Sequence, residues 1–378
     1  MLNARNLVLD TMSEVYQPLL PYRTHEFWDF GTHDIVPNSV YIVGRKQITD
    51  NTAKVRELAQ RDDITVVFDN ASEGSWTLIS QLQALGLHDL ALNHQLLLIG
   101  GGEMGSEYAY VRYDHFIACI VDYEENLLAM SHSDEIFSNN RKPYSFLFLN
   151  GRSRPHRKYL WHRFQQHGLL DHALWTMLDS RPSGYRHFDL VDTGVNLMST
   201  VTPLQWLSTE YEVPEYSTAS ITPGPAERTF VKTELFGNTW GEIYLNTPAY
   251  SDTYFSVVTE TVFEYPYSFR TEKIAKPLAQ GHPWICAANT GFYRDLRNLG
   301  FKTFSSIIDE SFDSIEHHQT RMDRIVAVVD DLCKSDLQAF LVACEPVCKY
   351  NQQHLVELSA RIRKEFPNNF FKFIGHYE

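Results

Sequence analysis

The residues with the clearest chemical capacity lie in four short runs. The first, Phe269 to Ile285 (FRTEKIAKPLAQGHPWI), follows the strand-like run Tyr254 to Thr261 (YFSVVTET). Thr271 is placed to cap a helix, Glu272 and Lys273 would fill its first turn, and Gly281 with Pro283 would close it. A helix N-terminus attracts phosphate, a lysine adds a point charge suited to a diphosphate, and a glutamate accepts hydrogen bonds from ribose hydroxyls. The plainer reading is a capping threonine beside a solvated Glu and Lys, and spacing alone leaves both open.

The second run, Phe146 to Phe164 (FLFLNGRSRPHRKYLWHRF), passes from a strand through Asn150 and Gly151 into a helix with Pro155 at about its first position. Arg152, Arg154 and Arg157 with the backbone amides would form an anion cradle, or simply a solvated basic turn. Their position at the head of the second half of an acidic chain favours diphosphate binding, with Arg152 and Arg157 foremost. The third run, Ile64 to Trp76 (ITVVFDNASEGSW), ends a strand with Asp69 and Glu73 in the following loop. Group transfer to a hydroxyl needs a carboxylate to take its proton. Glu73 is the first candidate and Asp69 the second, and either could be no more than a helix cap or a solvated loop residue.

The fourth run, Gly100 to Gly105 (GGGEMG), satisfies G-x-G-x-x-G after a strand, and Asp122 lies at a suitable distance for a ribose contact. Gly100, Gly102 and Asp122 therefore keep an NAD-dependent oxidoreductase open as an alternative. The stretch that follows, SEYAYVRYDHF, has no clear amphipathic helical stripe, so a turn with close backbone packing is expected instead. Sixteen histidines include His25 beside Glu26 and the pair His317 and His318, yet no H-E-x-x-H or comparable ligand set occurs. Nor is there a convincing Asp-x-Asp, a G-x-S-x-G elbow or a P-loop. No metal and no cofactor are expected.

These runs need a scaffold of two domains. A chain of 378 residues suits two packed domains, and its hydrophobic fraction of 43% is that of a folded protein. Short apolar runs at 40–43, 64–68, 95–99, 116–121 and 145–149, then at 188–191, 254–258, 283–287 and 302–304, alternate with helix-length polar stretches, including amphipathic segments at 323–332 and 354–366. That alternation predicts an α/β protein with two doubly wound parallel sheets. The polar stretch Ser131 to Pro143 is the expected boundary, giving an acceptor domain over 1–140 and a donor domain over 141–378 whose last helices pack back on the first. The Pro- and Gly-rich region 208–240 reads as an irregular insertion that lines or covers a site.

Charge and cysteines narrow the function classes. A formal net charge of −14 makes nucleic acid an unfavoured partner. No segment has the length of a membrane span, and five scattered cysteines, with Cys344 and Cys348 expected to be buried on a helix, suit a reducing cytoplasm, that of the host cell if the chain is viral.

The run TEK, then KPLAQGHPWI and LGFKTFSSIIDESFDSI (Leu299 to Ile315), resembles the donor-binding half of glycosyltransferases of the alpha-1,3-fucosyltransferase family and their viral and bacterial relatives. The similarity covers roughly the last third of the chain. It implies a GT-B fold, two Rossmann-like domains facing across a crevice, with Glu272 and Lys273 on the ribose and diphosphate of a nucleotide-sugar and Glu260 near the donor. It also implies an inverting, metal-independent transfer of a sugar, fucose among the candidates and GDP among the nucleotides, to a glycan acceptor. The sequence departs from eukaryotic members in lacking an N-terminal membrane anchor and in its Gly-His-Pro-Trp. A transferase acting on modified bases of phage or viral DNA is a further alternative.

Overall fold

A computed structural model describes residues 5–122, 124–138, 140–150, 154–177, 245 and 247–377. The chain divides into two compact units, one of Met1–Ala118 with Tyr267–Arg270 and Glu357–Glu378, the other of Cys119–Pro266 with Thr271–Val356. The polar stretch 131–143 lies inside the second unit, ahead of that unit's first strand.

The sheet of the first unit has the order β2-β1-β3-β4-β5-β6, all parallel, from β1 (Asn6–Asp10), β2 (His25–Phe27), β3 (Ser39–Gly44), β4 (Ile64–Gly74), β5 (Leu96–Gly101) and β6 (Tyr110–Arg112). Strand side chains alternate between two buried layers, as a sheet covered on both faces requires. Leu7, Leu9, Val40, Ile42, Val67, Leu97 and Ile99 join one layer, with Phe366, Phe370 and Ile374 of the last helix. Val8, Tyr41, Val43, Val66, Phe68, Leu96 and Leu98 join the other, against Val55, Leu58, Leu78 and Leu82 of the helices Thr52–Ala59 and Ser75–Ala84.

The second unit carries the parallel sheet β10-β9-β7-β8, from β7 (Tyr144–Asn150), β8 (Ala173–Met177), β9 (Thr253–Thr259) and β10 (Trp284–Ala287). In each sheet the strand order reverses once, between β1 and β3 and between β7 and β9. Such switch points open a crevice at the carboxyl ends of the strands.

Several expectations are revised. Phe116 to Val121, read as a strand, begins in the short helix His115–Cys119, because an unbroken buried apolar run has no period to distinguish the two forms. Residues 302–304 form no strand. The helix segments 323–332 and 354–366 lie within the helices His318–Cys333 and Leu337–Tyr377. The strand expected at 188–191 and the insertion 208–240 lie outside the described residues. Among the described residues no helix is long and apolar enough to cross a membrane.

The glycine run is a packing device. Among the described residues the chain passes from Gly101 to β6 with no intervening helix. A Cβ on Gly101 would sit 2.5 Å from the Ala71 carbonyl and 2.6 Å from the Phe269 ring, and one on Gly102 would sit 2.2 Å from the Ser268 carbonyl. The Glu103 amide donates to Ser268 O at 2.9 Å, and the Tyr110 hydroxyl donates to the carbonyls of Gly100 (2.7 Å) and Gly102 (2.9 Å). The face a pyrophosphate would need is filled by residues 268–269, and Asp122 belongs to the second unit.

Gly102 also has φ of +83°, so Gly102→Ala adds backbone strain to a clash. We expect it to cost at least about 1–3 kcal/mol in chemical denaturation. Gly375→Ala, in the last helix with nothing within 4 Å, should be neutral or stabilising by up to about 1 kcal/mol.

Candidate functional site

In the second unit, polar groups gather where β7 and β9 end. Thr259 Oγ donates to Asn150 Oδ1 across the switch point at 2.7 Å. Glu260 follows immediately and is fully buried. Its Oε1 accepts from the amides of Thr271 (3.0 Å) and Ile274 (3.3 Å), and its Oε2 from the Thr261 amide (3.0 Å) and the Thr271 hydroxyl (2.7 Å). Burial pushes its carboxyl up, against the pull of Lys273 and these hydrogen bonds.

Thr271 caps the helix Glu272–Gln280, its hydroxyl accepting from the Lys273 amide at 3.2 Å, and Gly281 ends that helix in the left-handed conformation, both as the sequence indicates. The positive end of this helix is not open, however, because Glu260 and Thr271 already accept from its leading amides. An anion there would depend on the Lys273 side chain. Lys273 Nζ lies 3.3 Å from the hydroxyls of Thr261 and Thr271 and pairs with Glu272, the two side chains being 25% and 14% exposed. Burial opposes ionisation of Glu272, but Lys273 and Lys276 outweigh it and hold the carboxyl below its ordinary value.

The basic run after β7 divides. Arg152 lies outside the described residues. Arg154 is half-buried at the start of the helix Pro155–Gln166. Arg157, expected on a diphosphate, instead points inward at 2% exposure, with Nη2 donating to the Thr259 carbonyl at 3.3 Å. His156 beside it lies 2.9 Å from the Glu260 carbonyl through Nε2, stacks on Phe263 at 5.4 Å between ring centroids, and is kept neutral by burial.

Arg321 braces the loops above β9 and β10. Its guanidinium lies 4.3 Å from the Phe263 ring centre and donates to the carbonyls of Phe263 (2.7 Å), Ala288 (3.2 Å) and Ile315 (2.6 Å) and to Thr290 Oγ (2.7 Å). Glu264 sits in the same group. Burial lifts its carboxyl to about 8, against the opposing pull of its own backbone amide, Arg154 and Arg321.

The first unit presents a different chemistry at the end of β1 and along β4. Asp10 closes β1 and accepts from the amides of Met12 and Gly44, both at 2.9 Å, so it spans the switch point. Asp69, fully buried, accepts from Ser13 Oγ (2.5 Å), the Val15 amide (3.1 Å) and the Ala71 amide (3.2 Å). Glu14 faces it. Glu14 Oε1 accepts from Ser72 Oγ at 2.7 Å, while Oε2 is enclosed with no donor in reach and has the Asp69 carboxyl as its neighbour. Burial first, and the Asp69 charge second, push Glu14 well above its ordinary value. Burial also raises Asp69, but the Ser13 hydroxyl and the Val15 and Ala71 amides act in the other direction. Each carboxyl thus bears on the other's ionisation, raising Glu14 and lowering Asp69.

Of the two sequence candidates for a proton acceptor, Asp69 has no exposed surface and Glu73 is paired with exposed Arg45 at 3.5 Å. Both lie within β4, which runs to Gly74 with a register shift after Asn70, rather than in a loop. Asp10 and Glu14 escaped sequence reading because β1 is a five-residue strand, too short to stand out. The available signal was an Asp ending an apolar NLVLD run with a second acid four residues on.

Cys344 and Cys348 are buried in the last helix, as expected. Among the described residues no group of three His, Cys, Asp or Glu is gathered as metal ligands. Compared with protein-family models, curated proteins and solved structures, the chain matches none of them.

The Glu264 carboxyl yields a test of the second cluster. Its folded value of about 8 lies above the unfolded value near 4.5, so the folded state retains a proton that the unfolded chain loses. Stability should therefore fall as pH rises through the window from about 4.5 to about 8 and level off above it. Glu264→Gln should flatten that slope in melting curves recorded across the same range, and an unchanged slope would contradict the assignment.

Proposed function

We propose that this chain is a glycosyltransferase of the GT-B type that moves a sugar from a nucleotide-sugar to a glycan hydroxyl, with inversion and without a metal. The observation that carries this reading is the Glu272 and Lys273 pair, set beside Thr261 and Thr271 at the end of β9 within the run that resembles a donor-binding half. Two doubly wound sheets, each with its polar groups at the strand ends, support it.

In this reading Lys273, aided by Arg154, meets the diphosphate and stabilises the negative charge that builds as the nucleoside diphosphate leaves. Glu272 accepts hydrogen bonds from the ribose. Glu260 does not touch the donor; it positions Thr271 and the helix that carries the pair. The acceptor oxygen bonds to the anomeric carbon as the bond from that carbon to the phosphate oxygen breaks. A carboxylate must take the acceptor proton, and Glu14 is the candidate in preference to Glu73. Activity should then rise with pH along a limb well above ordinary carboxyl values.

Nucleotide release from GDP-, UDP-, dTDP- and CMP-sugars, measured in EDTA with a set of glycans, tests the reading. One donor should be turned over. Lys273→Ala and Glu272→Ala should each lose at least about 100-fold. Glu14→Gln should lose about 10²–10⁴-fold, whereas Glu73→Gln should stay near wild type. Failure of every donor either to be turned over or to raise the melting temperature would refute the proposal.

A further inference from the structure

Glu264, on the loop that follows β9, is an ionisable group among cations that the catalytic reading does not use. It directly follows Phe263, whose ring lies 4.3 Å from the Arg321 guanidinium and stacks on His156 at 5.4 Å. Two charged groups act on its half-buried carboxyl: Arg154, at the head of the helix Pro155–Gln166, and Arg321, on the helix His318–Cys333. Among the described residues no other residue gives that carboxyl a hydrogen bond or a close ion pair.

The two arginines are not equivalent. Every nitrogen of the Arg321 guanidinium is engaged inside the protein: Nε with Ala288 O, Nη1 with Thr290 Oγ and the carbonyls of Ile315 and Glu316, and Nη2 with Phe263 O and His318 Nδ1. Arg154 is half-buried and, like Lys273, lies near enough to His156 to act on that ring's charge. Arg154 is therefore the cation that Glu264 can share with a ligand. The two imidazoles beside Phe263, those of His156 and His318, are both held below their ordinary value by burial, so neither changes charge in alkaline solution.

We propose that Glu264 gates the phosphate subsite of Arg154 and Lys273: as a neutral carboxyl it leaves Arg154 to a phosphate oxygen, and as a carboxylate it draws Arg154 to itself and repels the anion. This rests on the transferase reading for the subsite and adds to it a regulator that responds to mildly alkaline pH. Burial holds the Glu264 carboxyl at about 8, so the neutral form prevails at neutral pH although two arginines oppose it. A bound dianion favours that neutral form further, so binding takes up a proton, and by linkage affinity falls as the pH rises past that value. The fall can reach about tenfold for each pH unit above it.

The test titrates sulfate, a dianion whose charge is constant in this range, into the full chain at several values from about pH 7 to about pH 9, with dissociation constants taken from the rise in melting temperature. Turnover of the nucleotide-sugars is followed separately. Sulfate should bind, and its affinity should fall by about three- to tenfold across that range. Glu264→Gln, which mimics the neutral carboxyl, should hold the affinity within about twofold, and Arg154→Ala should weaken sulfate at neutral pH and remove the pH effect. The gate is overturned if sulfate leaves the melting temperature unchanged at neutral pH, if wild-type affinity does not vary with pH, or if Glu264→Gln shows the same fall. Gated sulfate binding with no donor turned over defeats only the transferase, and turnover with pH-independent sulfate binding defeats only the gate.

Discussion

The organisation of the second unit depends on one buried carboxylate. Glu260 sits at the end of β9 with no exposure and accepts four hydrogen bonds, from Thr261, Thr271 (twice) and Ile274. An ionisable group so placed is tolerated only because each lone pair has a donor and a cation is close. Thr271 is eleven residues from Glu260, so the contact closes the loop 261–270 at its base. It also fixes where the helix Glu272–Gln280 begins, and with it the direction of Glu272 and Lys273. The cost is that the helix end is occupied by the protein's own carboxylate, which leaves charge recognition to side chains.

The same principle of internal satisfaction governs the arginines. Arg157, Arg270 and Arg321 are among the largest fully buried side chains. Arg270 donates twice to Asp114, at 2.7 and 2.9 Å, next to the point where Phe269 covers the glycine run. Arg321 holds five loop positions, those of Phe263, Ala288, Thr290, Ile315 and Glu316. In an acidic chain these cations neutralise and brace the interior of each unit, whereas Arg154 and Lys273 remain half-buried beside the second switch point. Rigid supports of this kind are what a binding group needs to be held in one geometry.

Both sheets carry polar groups at the switch point, acids in the first unit and acids mixed with bases in the second. In both, apolar strands end in polar residues at the switch point. In the first unit these are Asp10, Glu14 and Asp69, and in the second Asn150, Thr259 and Glu260 with the adjoining Lys273 and Arg154. Glu14 and Asp69 lie close enough to act on one another, and burial with the Asp69 charge pushes Glu14 well above its ordinary value.

The sequence by itself determined the α/β class, the strands β3, β4, β5, β7, β9 and β10, and the capped helix from Thr271 to Gly281. These follow from local information: period, β-branched runs, a capping hydroxyl and a glycine that tolerates positive φ. It also indicated that the GGGEMG turn is a site of close packing, since no helical stripe follows it. Tertiary structure alone decided which acids and bases meet. Glu14 reaches Asp69 across 55 positions only because β1 and β4 flank β3, Arg157 turns inward only because β9 offers a carbonyl there, and Glu260 becomes a helix cap only when the chain returns at Thr271. Proximity between distant residues is fixed by strand order, and strand order leaves no mark in local periodicity.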